Sequence, residues 1–302
     1  MTQLPTQPII GFIGLGNMGG RMARCLVQAG HTVLGYDTRI ELNDAAGSQP
    51  TSSVGELAAR ADVILMSLPE SKIVEAVVLG EAGVLHHSKP GQILVDLSTS
   101  APSSTRELSK EAATRGVAFI DAGISGGAAA ADKGALTLMV GGDDEQLSAV
   151  RPILETFSSK IFHCGDVGTG HTAKLLNNFL NAIALSATSE VMVAATKAGL
   201  DRQVLLEVLN ASSGVNFATT NRFPSIVRGD YLEGGLTNAL MLKDVLAYVA
   251  LTSELGVATP NSAGPLASFG IANQLGYATT ISNHVVDALG DISGGVRIQA
   301  TA

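Results

Sequence analysis

A short apolar run, Pro8-Ile9-Ile10-Gly11-Phe12-Ile13, leads straight into Gly14-Leu15-Gly16-Asn17-Met18-Gly19. A G-x-G-x-x-G constrains a fold only through its surroundings, because 34 glycines in 302 residues make the bare pattern common. Here a helix-competent segment, Asn17 to Ala29, follows and stops at Gly30. A second strand candidate then runs from His31 to Tyr36 and ends on Asp37. This is the layout of a dinucleotide-binding βαβ unit. Gly14 permits the tight turn, Gly16 lets backbone N–H groups approach a pyrophosphate, and Gly19 lets the helix pack close to the strand. The phosphates meet the positive end of the helix. Leu15, Asn17 and Met18 complete the cofactor turn. The Asp37 carboxylate suits the adenosine ribose and repels a 2′-phosphate, which favours NAD over NADP. Arg39 offsets part of that repulsion, so NADP remains possible.

Composition narrows the class. Hydrophobic residues make up 46% and charged residues 15%, so the apolar interior is large for the surface. That points to a homodimer or homotetramer, although abundant Ala and Gly alone give the same figure. Lys and Arg number 19 against 27 Asp and Glu, a net charge of -8 with no basic run. Nucleic acid and anionic membranes are therefore not expected partners. The absence of Trp and the 4% of aromatics also argue against base-stacking surfaces. The N-terminus carries no signal-peptide pattern. Polar residues break the apolar runs before about 18 positions, so no membrane-spanning helix is expected. Cys25 and Cys164 show no metal or disulfide spacing, so no metal and a cytoplasmic location are the expectations.

Up to about residue 165, strands and helices alternate, which implies a mostly parallel, doubly wound sheet. Strand candidates are 9–13, 32–36, 63–68, 93–97, 117–120, 136–140 and 160–163, the last two as antiparallel additions. Ser53-x-x-Glu56 and Ser104-x-x-Glu107 fit capping boxes. Beyond Gly165 no convincing strand is present. One long helix spans 170–197, and further helices are expected at 202–210, 236–255, 263–274 and 281–289. The fold class is thus a Rossmann-type α/β domain, residues 1–165, and an all-helical domain, residues 166–302, joined by the long helix. The polar tail from Asp291 to Ala302 reads as loosely held.

The long helix carries a polar stripe. Lys174 and Asn178 are four apart and share a face, Asn181 falls on it too, and Asn177 sits beside it. An amine beside carboxamides suits a cleft wall, where the lysine moves a proton and the asparagine holds a substrate in line. A solvated stripe on an exposed helix is the other reading. Asp121-Ala122-Gly123-Ile124-Ser125-Gly126-Gly127 follows a strand. Ser125, Gly126 and Gly127 offer a hydroxyl and unshielded N–H groups that suit a carboxylate, or else form only a flexible turn. His163 and His171 have no acid at a telling spacing and read as structural. His86 and His87 read as a solvated loop. Neither cysteine has electropositive sequence neighbours that would make it a nucleophile.

Together these motifs resemble the β-hydroxyacid dehydrogenase family, which includes 3-hydroxyisobutyrate dehydrogenases and tartronate semialdehyde reductases. The resemblance covers nearly the whole chain. Gly11 to Gly19 is similar to the family's cofactor signature. Ser67-Leu68-Pro69 is similar to its strand-end loop beside the cofactor, and Asp96-Leu97-Ser98-Thr99 to its nicotinamide-side loop. The resemblance therefore adds Leu68, Pro69, Ser98 and Thr99 to the cofactor site. Asp121 to Gly127 is similar to the substrate-binding D-A-P-V-S-G-G. Gly123 stands where that motif has proline, which predicts a looser loop. Gly168-x-Gly170-x-x-x-Lys174-x-x-Asn177-Asn178 is similar to the catalytic helix signature. Lys243-Asp244 resembles a K-D pair that approaches the active site and places Lys243 near cofactor and substrate.

The resemblance implies reversible hydride transfer between NAD(H), with NADP possible, and a small β-hydroxyacid or its semialdehyde. Lys174 would be general acid/base, Asn178 would position the substrate oxygen, Ser125, Gly126 and Gly127 would bind the carboxylate, and Lys243 would supply a second positive charge. Burial and a nearby oxidised nicotinamide both favour the neutral amine that a base requires. Contacts to the variable end of the substrate are expected from Ser212 to Phe223. Two rival readings are an imine reductase-like NADP enzyme, whose relatives place aspartate or tyrosine where Lys174 stands, and a non-catalytic cofactor-binding scaffold.

Overall fold

The computed structural model describes residues 4–42, 46–232 and 235–299. The chain divides into two compact units, Met1–Lys174 and Leu175–Ala302. In the first unit the elements run β1 (Ile10–Ile13), α1 (Gly19–Gln28), β2 (Val33–Tyr36), β3 (Gln49–Pro50), α2 (Val54–Arg60), β4 (Val63–Met66), α3 (Ser71–Leu79) and α4 (Val84–His87). They continue with β5 (Ile93–Asp96), α5 (Pro102–Thr114), β6 (Ala118–Ser125), α6 (Gly127–Asp132), β7 (Leu136–Gly141), α7 (Asp144–Leu154) and β8 (Ser158–Gly165).

One sheet holds all eight strands in the order β3-β2-β1-β4-β5-β6-β7-β8. Neighbours from β3 to β6 are parallel, β7 is antiparallel to β6, and β8 is parallel to β7. The last two strands thus run against the rest, as the sequence suggests. Every residue of β1, β4 and β5 is buried, because helices cover both faces and a parallel strand needs no polar side. The pleat sends Ile10, Phe12, Leu65 and Val95 to one core and Ile13, Ile64, Met66 and Leu94 to the other.

Several local expectations are corrected. β6 does not stop at Ile120; it continues through Ser125, and β7 pairs with Asp121 to Ser125 along its length. Gly123 is therefore a strand residue and not part of a looser loop. The two-residue β3 has no sequence signal. His86 and His87 end the short helix α4. At α2 the Ser53 hydroxyl accepts from Glu56 N at 3.1 Å, while the Glu56 carboxylate turns to Ser52. Ser104 caps nothing: α5 starts at Pro102, whose fixed φ suits a first helical position, and Ser104 donates to Glu75 Oε1 at 2.6 Å.

α8 (Thr169–Lys197) begins in the first unit and ends in the second. The second unit adds α9 (Arg202–Asn210), α10 (Phe217–Asn221), α11 (Phe223–Ile226), α12 (Asn238–Glu254), α13 (Ala263–Ala272) and α14 (Val285–Ile292). The short α10 and α11 lie within a stretch to which the sequence assigns no element. No strand occurs here among the described residues; one isolated bridge links Thr237 to Ile281. Phe179, Leu185, Met192, Phe223, Met241 and Phe269 lie in the core. The tail is held more firmly than its composition implies. Tyr277 Oη donates to Asp291 Oδ2 at 2.8 Å and Ile298 is buried, whereas 300–302 lie outside the described residues.

By length and composition α8 is long and apolar enough to cross a membrane, which the broken apolar runs did not suggest. Half of its most apolar window is buried inside the protein, the usual condition of a core helix.

Candidate active site

The sheet order reverses between β1 and β4, and ligands of open α/β sheets bind outside the carboxyl ends of the strands at such a point. The loops that follow β1 and β4 meet there. Gly14 has φ +88°, and a Cβ on it would press into the Ser67 carbonyl. A side chain on Gly19 would run into the Gly14 carbonyl, so the first turn of α1 sits against the loop only because both positions are bare. Leu15 is buried, Met18 takes the N-cap position of α1 without a side-chain cap, and Asn17 Oδ1 accepts from Arg21 Nε at 3.3 Å. A cradle without side chains at a helix N-terminus fits a pyrophosphate.

Asp37 braces this turn. Its Oδ2 accepts from Leu15 N at 2.8 Å and its Oδ1 from Arg39 N at 2.9 Å. Beside it opens a groove of about 550 Å³ lined by Tyr36, Asp37, Ile40 and Pro50, at the place the adenosine half of a dinucleotide would take. The exposed Arg39 guanidinium lies next to Gly16. On the other side of the turn, Leu68 N donates to Ser98 Oγ at 2.9 Å, which couples the β4 and β5 loops. Ser98 itself is buried, Thr99 is half-buried and Pro69 is exposed.

The start of α8 is fixed by buried acids. Asp96 and Asp121 are register partners on β5 and β6, both fully buried. Asp121 Oδ1 accepts from Gly168 N at 2.6 Å and Oδ2 from His171 N at 2.7 Å. These are orphan N–H groups of a helix start, satisfied from a strand instead of by a local cap. Burial holds the Asp121 carboxyl above its usual value, against the opposing pull of His171 and of the two N–H donors. Asp96 Oδ1 accepts from Ser98 N and Oδ2 from Ser100 Oγ, both at 2.9 Å. His171 is buried, with Nδ1 2.8 Å from Thr105 Oγ1 and Nε2 donating to the Asp96 carbonyl at 3.2 Å. Its ring also lies within 4.0 Å of the Asp96 and Asp121 carboxylates, acids that sequence spacing does not reveal. His163 likewise bonds the Gly142 carbonyl at 2.7 Å.

One turn after His171 stands Lys174, half-buried. An ideal Cβ on Gly123 would lie 2.5 Å from Lys174 Cβ, so the helix rests directly on β6 at this residue. Gly170 and Gly141 meet just as closely beside it: a Cβ on Gly170 would lie 2.7 Å from Gly141 N. The unit thereby holds Lys174 on the strand that ends in Ser125, with Gly126 and Gly127 exposed immediately after it. Burial pushes the Cys25 and Cys164 thiols up, which leaves neither as a ready nucleophile. No group of acids, histidines and cysteines that could hold a metal occurs among the described residues.

In the second unit Asn178 is buried and its Nδ2 donates to Asp244 Oδ2 at 2.6 Å. Lys243 Nζ lies 3.3 Å from Asp244 Oδ1. Asp244 is thus the buried carboxylate that orients Asn178 and balances Lys243. It is named in the sequence with Lys243 but assigned no role there, because 66 residues separate it from Asn178.

Residues 9–165 match a family model described as the NAD binding domain of 6-phosphogluconate dehydrogenase. Residues 168–285 match one described as NAD-binding of NADP-dependent 3-hydroxyisobutyrate dehydrogenase. Mouse (Mus musculus) mitochondrial 3-hydroxyisobutyrate dehydrogenase is 40% identical over 267 residues, 85% of this chain and 79% of that protein. The NAD-dependent L-serine dehydrogenase of Pseudomonas aeruginosa is 37% identical over 279 residues, 89% of this chain and 93% of that protein. Mycobacterium tuberculosis 3-hydroxyisobutyrate dehydrogenase, solved with L-serine, superposes with a TM-score of 0.87 at 31% identity, covering 94% of this chain and 99% of that chain.

Proposed function

Because this chain belongs to the family of NAD(P)-dependent β-hydroxyacid dehydrogenases, we propose that it moves hydride reversibly between NAD(H) and a small β-hydroxyacid or its semialdehyde, with Lys174 as general acid/base. The observation that carries the reading is the fixing of Lys174. Its helix start is tied to Asp121 and its own Cβ rests against Gly123, so the root of the side chain is fixed on β6 and only its flexible stem is left to aim the amine.

Gly14 to Gly19 would hold the pyrophosphate, Asp37 the ribose, and Leu68, Pro69, Ser98 and Thr99 would border the nicotinamide. The cofactor, when bound, accepts or donates the hydride. The Lys174 amine takes the substrate hydroxyl proton in oxidation, and its ammonium returns a proton to the carbonyl oxygen in reduction. Asn178, its amide turned by Asp244, holds that oxygen in line. Ser125 Oγ and the N–H groups of Gly126 and Gly127 bind the carboxylate, and Lys243 adds positive charge. Asp37 favours NAD, although Arg39 leaves room for NADP. Exposed Leu176 and Leu180 on α8 and Val204 and Val208 on α9 support assembly into a homodimer or homotetramer, and a cytoplasmic location agrees with this soluble chemistry.

Substitution tests the reading. In a screen of small β-hydroxyacids with NAD, Lys174→Ala should lower turnover by about 10²–10⁴-fold, with cofactor affinity little changed. Lys174→Arg should not rescue it, since guanidinium stays protonated at working pH. A folded Lys174→Ala enzyme with near wild-type turnover removes Lys174 from the proton transfer.

A further inference from the structure

The helix α6 follows the loop assigned to the substrate carboxylate, and its own sequence does little to hold it. It consists of Gly127, four alanines and Asp132. Six residues are too few to sustain a helix alone. Gly126 at its N-cap supplies no side-chain cap, and the acid at its last position opposes the helix dipole. Contacts from outside must therefore fix it. Ala128 and Ala131 are buried, but Asp132 is the one side chain of α6 that can form a hydrogen bond.

Asp132 meets α1, the helix that opens at the cofactor turn. Its Oδ2 accepts from Arg21 Nη1, and its Oδ1 lies 3.9 Å from Arg24 Nη1. Both cations of α1 thus face this acid. Beside them Cys25 Sγ donates to the Ala131 carbonyl at 3.4 Å. The Arg21 guanidinium also reaches back, donating through Nε to Asn17 Oδ1 at 3.3 Å. Asn17 lies in the turn that fits a pyrophosphate. An unbroken run of contacts within the first unit therefore joins Asn17, Arg21 and Asp132, and α6 carries it on to Gly127 and Gly126.

Resting on the assignment of Ser125, Gly126 and Gly127 to the substrate carboxylate, we infer that Asp132 is a positioning residue that ties this loop to the cofactor turn, so that the loop is ordered once the dinucleotide is bound and the acid substrate binds second. The clamp supplies geometry more than stability, because a half-exposed ion pair adds little. Gly126 and Gly127 have φ of +126° and +68°, in a stretch where glycine leaves the backbone much freedom to lose. With the N–H groups of the turn engaged by a pyrophosphate, Asn17 is immobilised, and with it the guanidinium that holds Asp132. The acid substrate then meets a loop already ordered and loses less entropy on binding.

Hydrogen exchange reads this coupling without turnover. In the wild-type chain, NAD alone should slow the amides of residues 126–134 as well as those of 14–19. In Asp132→Asn, which keeps the volume and removes the charge, NAD should slow only the second set. Kinetics with 3-hydroxypropionate or 3-hydroxyisobutyrate at saturating NAD should show KM raised about 10-fold and kcat within about 2-fold, the pattern of lost ground-state binding. Asp132→Glu should recover most of that loss. Arg21→Met should raise KM likewise, and the double variant with Asp132→Asn should add little. The Tm of Asp132→Asn should stay within about 2 °C of wild type. Equal protection of 126–134 by NAD in wild type and Asp132→Asn overturns the inference, as does a wild type in which NAD protects the turn alone. A KM defect that Asp132→Glu leaves uncorrected and that comes with a large fall in Tm also overturns it, since Asp132 then only supports the fold. Loss of the protection with KM unchanged keeps the clamp and instead removes Ser125, Gly126 and Gly127 from carboxylate binding, the reading on which the inference rests.

Discussion

Replacing Asp121 by Asn should destabilise the first unit and slow the enzyme without touching the cofactor turn. The carboxylate takes one backbone N–H on each oxygen, from Gly168 at 2.6 Å and from His171 at 2.7 Å. An asparagine has one acceptor atom, so its NH₂ must face one of these donors. One charge-assisted bond, about 1.5–3 kcal/mol, is lost, and a buried N–H left unmatched adds about 1–3 kcal/mol. Removing a desolvated carboxylate next to Asp96 gives some of this back. The net loss is about 2–4 kcal/mol, a fall in Tm on the order of 10 °C for a unit of this size. Lys174 begins the next turn after His171, and a displacement of about 1 Å at a reacting group costs about 10²-fold in rate. Turnover should therefore drop by about 10–100-fold while the Kd for NAD stays near wild type. Calorimetry and steady-state kinetics measure both quantities. The pH dependence adds a check of sign. Since burial raises the Asp121 carboxyl, the proton-linked part of its contribution is fully present below the unfolded value of 3.8 and is lost as pH rises through the folded one, which leaves the two N–H bonds as the part that persists at neutral pH. The gap in Tm between wild type and variant should widen on acidification. A variant that melts within about 1 °C of wild type at neutral pH and keeps its turnover would refute the anchoring role of Asp121.

Cofactor choice and assembly provide two further tests. Asp37→Asn removes the charge that repels a 2′-phosphate while Arg39 remains, so the ratio of kcat/KM for NAD over NADP should fall by about 10-fold or more. An unchanged ratio, or a wild-type enzyme that already prefers NADP, counts against Asp37 as the selector. Light scattering at micromolar concentration should return a multiple of 30.9 kDa, and a monomer there means the exposed leucines and valines of α8 and α9 are not an interface.

The cofactor half of the site is legible in sequence because it is local. Strand, glycine turn, helix and Asp37 fall within 30 residues, and each carries its own propensity signal. The long helix and its stripe are equally plain, since 3.6-residue periodicity needs no partner. Misreadings arise where tertiary pairing overrides local chemistry. Asp121, Gly123 and Ser125 are poor strand formers, so propensity ends β6 early, but the antiparallel ladder with β7 carries it on. Ser104-x-x-Glu107 matches a capping box, yet Pro102 starts the helix two residues sooner. The Asn178–Asp244 bond joins residues 66 apart, and no local pattern announces it.

The crossing of α8 over β6 and β7, where Gly123, Gly141 and Gly170 meet, also sets which variants a lineage can explore. Almost any side chain added there must displace backbone, because a Cβ on Gly170 or Gly141 runs into main-chain atoms of the facing segment. Substitution of Gly141 or Gly170 is therefore expected to cost packing at the lysine's own turn of helix. The segment from Ser212 to Phe223 is constrained only in part: Ala218, Thr219 and Phe223 are buried, whereas Val215 and Phe217 are exposed. New substrate ranges are therefore expected to arise by exchange at the exposed positions of that segment, and a saturation library should show tolerance and specificity change concentrated there and not at Ala218, Thr219 or Phe223.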